Sequence, residues 1–173
     1  SLFTGAAATT AAVVASGLLT AFPERFRAHW AAGMRAKLCL VDCSSDDQAL
    51  FDDLLDLLQA QRVDHTTCFR AMSSTLREDG AAARDLFDDP AAFDAWAVRW
   101  RSRVTGEGRD PSVAADAMDG VNPVYIPRNH LVEEALAAAT TEGDLGPFDQ
   151  LLIAITHPFI EREGWSRYAE PGP

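Results

Sequence analysis

The sequence predicts an all-α protein, a single irregular bundle of about seven to eight helices. Three observations carry this. Apolar residues recur at helical spacing, most plainly in Phe22, Phe26, Trp30 and Met34. Helix-start signals punctuate the chain, the strongest being Asp89-Pro90, an acceptor at the N-cap followed by proline at the first helical position. No stretch alternates apolar and polar residues for long enough to make a sheet, and Val124-Tyr125-Ile126, the nearest approach, is too short.

The elements follow in order. Residues 1–20 form a lead-in helix, because Ala6 to Ala21 is rich in alanine, the best helix former. Pro23 opens a second helix, which carries the Phe22/Phe26/Trp30/Met34 stripe. Cys43-Ser44-Ser45 breaks it. Ser45 with Gln48 reads as a capping box, so a third helix begins near Asp46 and buries Leu50, Phe51, Leu54, Leu55, Leu57 and Leu58. Asp64 caps a fourth helix holding Cys68, Phe69, Met72 and Leu76. Arg77 to Asp89 is a loop with one short helical turn. After Asp89-Pro90, Phe93, Trp96, Ala97, Trp100 and Val104 share a face, and Gly106 and Gly108 end that helix. Pro111 to Met118 is a short helix. The residues before Pro123 and Pro127 are driven out of the α region, so 122–127 is extended. Pro127 to Thr141 is helical with Leu131, Val132, Ala135, Leu136 and Ala139 inward, and Pro147 to Thr156 is the last clear helix. Residues 158–173 read as an irregular tail.

Length and composition bound the function. The 173 residues suit one helical domain, 1–173, and 47% hydrophobic with 24% charged residues is a globular balance. The net charge of −11 repels phosphate backbones and anionic bilayers, which argues against a nucleic-acid or membrane partner. Ala6 to Ala15, with Gly17, Leu18 and Leu19, falls short of a bilayer span and lacks the basic flank of a signal peptide. Three cysteines are too few for a secreted disulfide scaffold, and the expectation is reduced thiols in the cytoplasm. The sequence opens on Ser1 with helical composition almost at once, and a fragment or processed chain is expected.

Residues that carry chemistry in other proteins have plainer readings here. Cys39, Cys43 and Cys68 with His29 or His65 make an incomplete zinc set, since structural sites usually come as two close pairs and Cys39-x3-Cys43 is only one. His65, His130 and His157 are scattered, with no nucleophile motif beside them. Asp52, Asp53 and Asp56 suit a solvated helix face. Trp96 and Trp100 suit a core, and Arg99, Arg101 and Arg103 are a local basic patch in an acidic protein, by default a solvated helix face and otherwise a docking surface for an acidic partner. The only lysine, Lys37, sits in Met34-Arg35-Ala36-Lys37-Leu38 without the glycine-rich loop that a phosphate-binding lysine requires. No catalytic, cofactor-binding or metal-ligating residue is assigned from these patterns.

Several ordered blocks resemble one family. Trp30-x-x-x-Met34-Arg35-Ala36-Lys37-Leu38 comes first, then Leu54-Leu55-Asp56-Leu57-Leu58 and Arg62-Val63-Asp64-His65-Thr66. Phe93-Asp94-Ala95-Trp96 follows, then Val121-Asn122-Pro123-Val124-Tyr125-Ile126-Pro127-Arg128-Asn129-His130-Leu131, Gly143-Asp144-Leu145 and His157-Pro158-Phe159. From about Ala21 to Ala169 they are similar to the C-terminal part of the selenoprotein O (SelO) family of protein adenylyltransferases. The resemblance implies the C-terminal helical region of a kinase-like fold. It implies a parent enzyme that binds ATP with Mg²⁺ or Mn²⁺ and transfers AMP to Ser, Thr or Tyr hydroxyls of proteins. The family's nucleotide, metal and catalytic residues lie upstream of the matched region, so none is carried onto a residue here. The expected partners are the N-terminal kinase-like lobe, the parent's protein substrates and, for the isolated chain, a second copy. Pro127 and His157 depart from the more helix-friendly or basic residues expected there. No cysteine near Pro173 matches the redox-active cysteine or selenocysteine that ends many members. The alternatives are a free-standing helical interaction module and a small zinc-binding regulator.

Overall fold

A computed structural model describes residues 3–77 and 80–172, with the side chains of 3–14 left out. The described residues form ten helices and no strand: α1 Phe3–Lys37, α2 Asp47–Ala60, α3 His65–Ala71, α4 Ser74–Arg77, α5 Ala81–Arg84, α6 Pro90–Gly106, α7 Pro111–Asp119, α8 Asn129–Thr141, α9 Gly146–Thr156 and α10 Ser166–Ala169. The protein is all-α, as its periodicity predicts. Of the ten, α4, α5 and α10 are single turns.

Five expectations need correction. The lead-in helix and the helix expected to start at Pro23 are one continuous helix, α1. Pro23 removes one N–H and thereby frees the Leu19 carbonyl. Leu19 is 74% exposed, so a carbonyl freed there costs little, and strong helix formers on either side carry the helix through. The Ser45/Gln48 capping box does not form. Gln48 donates instead to Asp52, and the carboxylate of Asp47 takes the Ser44 N–H at 3.1 Å. The fourth helix is split into α3 and α4, because the Ser73 and Ser74 hydroxyls turn back onto the carbonyls of Arg70 and Ala71. Residues 158–173 are not irregular throughout: α10 buries Tyr168, whose hydroxyl donates to Gln150 at 2.7 Å. Leu136, expected inward, is 54% exposed.

The aspartate caps hold, at Asp89 and Asp110 with a proline next in sequence. Asp64, Asp89 and Asp110 each accept from backbone N–H groups at the starts of α3, α6 and α7. Two helix ends use left-handed residues other than glycine. After α1, Cys39 has φ +54° and the Leu40 N–H reaches the Arg35 carbonyl at 2.8 Å. After α2, Arg62 has φ +55° and the Val63 N–H reaches the Leu58 carbonyl at 2.9 Å. Both are six-to-one closures that satisfy orphan carbonyls and turn the chain sharply.

Packing divides into two apolar clusters. The larger joins the C-terminal end of α1 to α2, α3, α6 and α7. Its centre is Trp100, fully buried, with Trp96 stacked on it at 5.7 Å. Their indole N–H groups donate to the Leu38 and Leu50 carbonyls at 2.9 and 2.8 Å, so neither ring buries an unmet donor. The smaller cluster holds Val124, Tyr125, Leu131, Ala135, Leu151, Ala154 and Tyr168 around the α8–α9 hairpin. The extended 122–127 segment runs into it. It pairs with no strand, and the Val124 N–H donates instead to the Pro158 carbonyl at 2.7 Å.

Candidate functional site

The two clusters meet along a polar seam, where three of the quoted blocks supply Lys37, Asp64, and Asn122 with Arg128. Asn122 is only 1% exposed. Its amide nitrogen donates to the Lys37 carbonyl at 2.9 Å, and its amide oxygen accepts from Lys37 Nζ at 3.2 Å. The Lys37 ammonium also lies over the Phe69 ring, 5.2 Å from its centroid. Partial burial lowers its pKa. Arg70 donates to the Asp119 carbonyl at 3.0 Å, fixing the end of α7 just before Asn122.

Beside this lies a two-pronged ion pair. Arg128 donates from Nη1 and Nη2 to the two oxygens of Asp64 at 2.7 and 2.8 Å. Asp64 simultaneously caps α3, accepting from the Thr67 N–H at 2.8 Å and the Thr67 hydroxyl at 2.7 Å. The Arg128 hydrogen bonds outweigh the opposing effect of partial burial and, with those from Thr67, hold the Asp64 carboxyl far below the usual carboxylate range. Asp64 in turn keeps Arg128 raised. One carboxylate therefore starts α3 in the larger cluster and clamps the start of α8 in the smaller. On the far side, the Tyr125 hydroxyl accepts the Arg162 N–H at 3.0 Å.

The residues weighed for other chemistry fall elsewhere. Cys39 is buried and its sulfur accepts from Arg109 at 2.8 Å, Cys43 is exposed, and Cys68 is fully buried. Burial, then the Asp64 charge, pushes the Cys68 thiol up to about 12. Among the described residues no three His, Cys, Asp or Glu side chains gather into a metal-holding group. The His65 ring lies 4.4 Å from the Phe69 ring, and desolvation, then the Lys37 charge, lower its pKa against the opposing charge of Asp64. His29 and His157 are exposed and His130 is half-buried. Asp52 and Asp56 are exposed, and Asp53 pairs with Arg99 at 2.7 Å. The arginines at 99, 101 and 103 diverge. Arg103 turns to Glu107 at 2.6 Å and to Asp47, while Arg101 lies against Gly80.

The sequence reading missed one group. Asp47 is 3% exposed between Arg35 at 3.6 Å and Arg103 at 3.5 Å. A signal for it existed. Asp47 falls on the same helical stripe as Leu50, Phe51, Leu54 and Leu58, so an acid there faces inward and requires a cation.

An all-α architecture in which three of the quoted blocks meet in one seam defines a helical module. Comparison with known proteins makes the assignment specific. The family model described as protein adenylyltransferase SelO matches residues 8–156. A "Protein nucleotidyltransferase YdiU" of Mycolicibacterium paratuberculosis is 54% identical over 159 residues, covering 88% of this chain and 30% of the relative. The protein of the same name from Rhodopseudomonas palustris is 46% identical over 160 residues, covering 91% and 32%. That from Cereibacter sphaeroides is 45% identical over 159 residues, covering 92% and 31%. The chain belongs to the SelO family. It spans about a third of the length of the curated relatives it matches.

Proposed function

We propose that these residues are the helical C-terminal portion of a protein adenylyltransferase. In the reaction the parent would catalyse, a Ser, Thr or Tyr hydroxyl oxygen of a protein bonds to the α-phosphorus of ATP. The bond from that phosphorus to the oxygen bridging to the β-phosphate breaks, pyrophosphate leaves, and the hydroxyl proton passes to a base. The family membership and the printed names of the relatives support the reaction class.

This portion acts as a brace on a kinase-like lobe and contributes surface for docking protein substrates. ATP and its Mg²⁺ or Mn²⁺ are held by residues outside it. The donor set described here does not fit them: Lys37, the only lysine, is committed to Asn122 and Phe69, and no acidic trio gathers among the described residues. No step of the reaction is assigned to these side chains. No described helix is long and apolar enough to cross a membrane, and with reduced cysteines the reading places the parent in the cytoplasm.

The polar seam carries the brace reading, because a single carboxylate, Asp64, locks the two clusters in one relative placement. The test pairs two measurements. The whole gene product, given ATP labelled at the α-phosphate and a mixture of acceptor proteins, incorporates label into protein. The 173-residue chain alone incorporates none and shows no heat of ATP–Mg²⁺ binding at micromolar concentrations. Micromolar binding of ATP–Mg²⁺ by the chain alone overturns the placement of the nucleotide site.

A further inference from the structure

The larger cluster stops partway along α1. Leu18, Phe22, Phe26, Trp30 and Met34 lie four residues apart and make one continuous face. Met34 is buried, and Trp30 meets Phe51 edge-on at 5.9 Å. Leu18, Phe22 and Phe26 on the same face are 58%, 63% and 57% exposed. Among the described residues Phe22 and Phe26 stack only on each other, at 6.0 Å. At about 200 Å² for a phenylalanine, two rings some six-tenths exposed leave roughly 240 Å² of aromatic surface in water. With Leu18 and Leu19 the patch reaches the several hundred Å² that mark interaction surfaces.

The charge around this face narrows the partner. From Phe3 to Lys37 the single acid is Glu24, and of the four bases Arg25 and Arg27 fall in the exposed stretch while Arg35 and Lys37 are taken up by Asp47 and Asn122. The other residues hold eleven bases against twenty-five acids. Arg25 and His29 border the exposed stripe directly. A second copy meeting this face about a two-fold axis brings like charge to like charge. An apolar surface edged with carboxylates is the matched partner. The relatives run on for about two-thirds of their length beyond what this chain covers, so such a partner is available within one polypeptide.

We propose that the Leu18–Phe22–Phe26 face of α1 seats on the part of the SelO-family protein that these 173 residues do not contain, against an apolar surface rimmed with acids. The proposal rests on the reading of this chain as one portion of an adenylyltransferase. Hydrogen exchange compares the amides of Leu18 to Arg27 in the 173-residue chain and in the whole gene product. A helix segment without tertiary packing exchanges fast. At least a tenfold slowing in the whole product supports the docking, and equal rates overturn it. Phe22→Ser with Phe26→Ser, and separately Arg25→Glu, provide the second measurement. The double variant is expected to lower the melting temperature of the whole product by about 5–10 °C and that of the 173-residue chain by about 1 °C or less. Arg25→Glu is expected to shift the whole product in the same direction by a smaller amount. An unchanged whole product overturns the proposal. So does a concentration-dependent dimer of the whole product that the double variant dissolves, because the face then belongs to a second copy. AMP transfer by the unaltered whole product reports on the functional reading separately. Transfer with unprotected Leu18–Arg27 amides overturns the docking alone. Protected amides without transfer overturn the activity alone.

Discussion

Replacing Asp64 by Asn and by Ala separates two tasks that one carboxylate performs. Asparagine retains an acceptor for the Thr67 N–H, and Asn ranks with Asp as an N-cap, so Asp64→Asn removes mainly the charge that Arg128 requires. The Arg128 and Asp64 side chains are 10% and 24% exposed, so the pair is largely out of water. Charged hydrogen bonds of this kind contribute about 1.5–3 kcal/mol, which sets the expected loss for Asp64→Asn at about 2 kcal/mol. Asp64→Ala also removes the cap, for about 1 kcal/mol more. A total near 3 kcal/mol corresponds to a fall of roughly 6–12 °C in Tm for a chain of this size. Urea unfolding followed by tryptophan fluorescence reads both variants, with Trp30, Trp96 and Trp100 reporting the larger cluster and Trp165 the smaller. A double-mutant cycle with Arg128→Met is expected to give a coupling of at least about 1.5 kcal/mol. The pH dependence has a defined sign. Folding holds the Asp64 carboxyl below its ordinary value, so its stabilisation is complete above about pH 5 and is lost as pH falls through the unfolded carboxylate value near 3.9 and below. The stability gap between the unaltered chain and Asp64→Asn therefore closes on acidification. Asp64→Asn as stable as the unaltered chain at pH 7, or a cycle additive within about 0.5 kcal/mol, would refute the reasoning.

Two further outcomes are expected. Trp100→Ala costs about 3–5 kcal/mol by opening a cavity in the larger core. Trp100→Phe costs about 1–3 kcal/mol, chiefly because the Leu38 carbonyl loses its donor, and the urea midpoint reads both. In the native state an aromatic disulfide reagent at pH 8 titrates Cys43 quickly and spares Cys68, which is fully buried and whose thiol is pushed up to about 12. A mass spectrum that shows Cys68 labelled as fast as Cys43 contradicts that placement.

The local order of the chain was written in its residues. Asp64, Asp89 with Pro90, and Asp110 with Pro111 place helix starts where they are observed, because a carboxylate beside free N–H groups acts within one turn and needs no distant neighbour. The inward stripes of α2 and α6 were legible for the same reason, as spacing along a helix is itself a geometric statement. The family blocks were legible too, and the comparisons place them in the SelO family. What those blocks do for one another was not legible. Asn122 meets Lys37 across 85 positions and Arg128 meets Asp64 across 64, and no local pattern encodes a pairing at that range. The burial of Asp47 likewise depends on Arg35 and Arg103 arriving from two other helices.

Pro23 marks the same boundary from the opposite side. The sequence signal for a break is strong, yet α1 continues through it because that stretch is open to water on all sides. Sequence alone determined most of the helices, the aspartate caps and the apolar faces of α2 and α6, since these are settled by interactions within a few residues. Only the tertiary structure decided which of those faces were covered. The stripe from Leu18 to Met34 has a single periodicity, but the core reaches just its last turns, because burial depends on what the rest of the chain brings into contact.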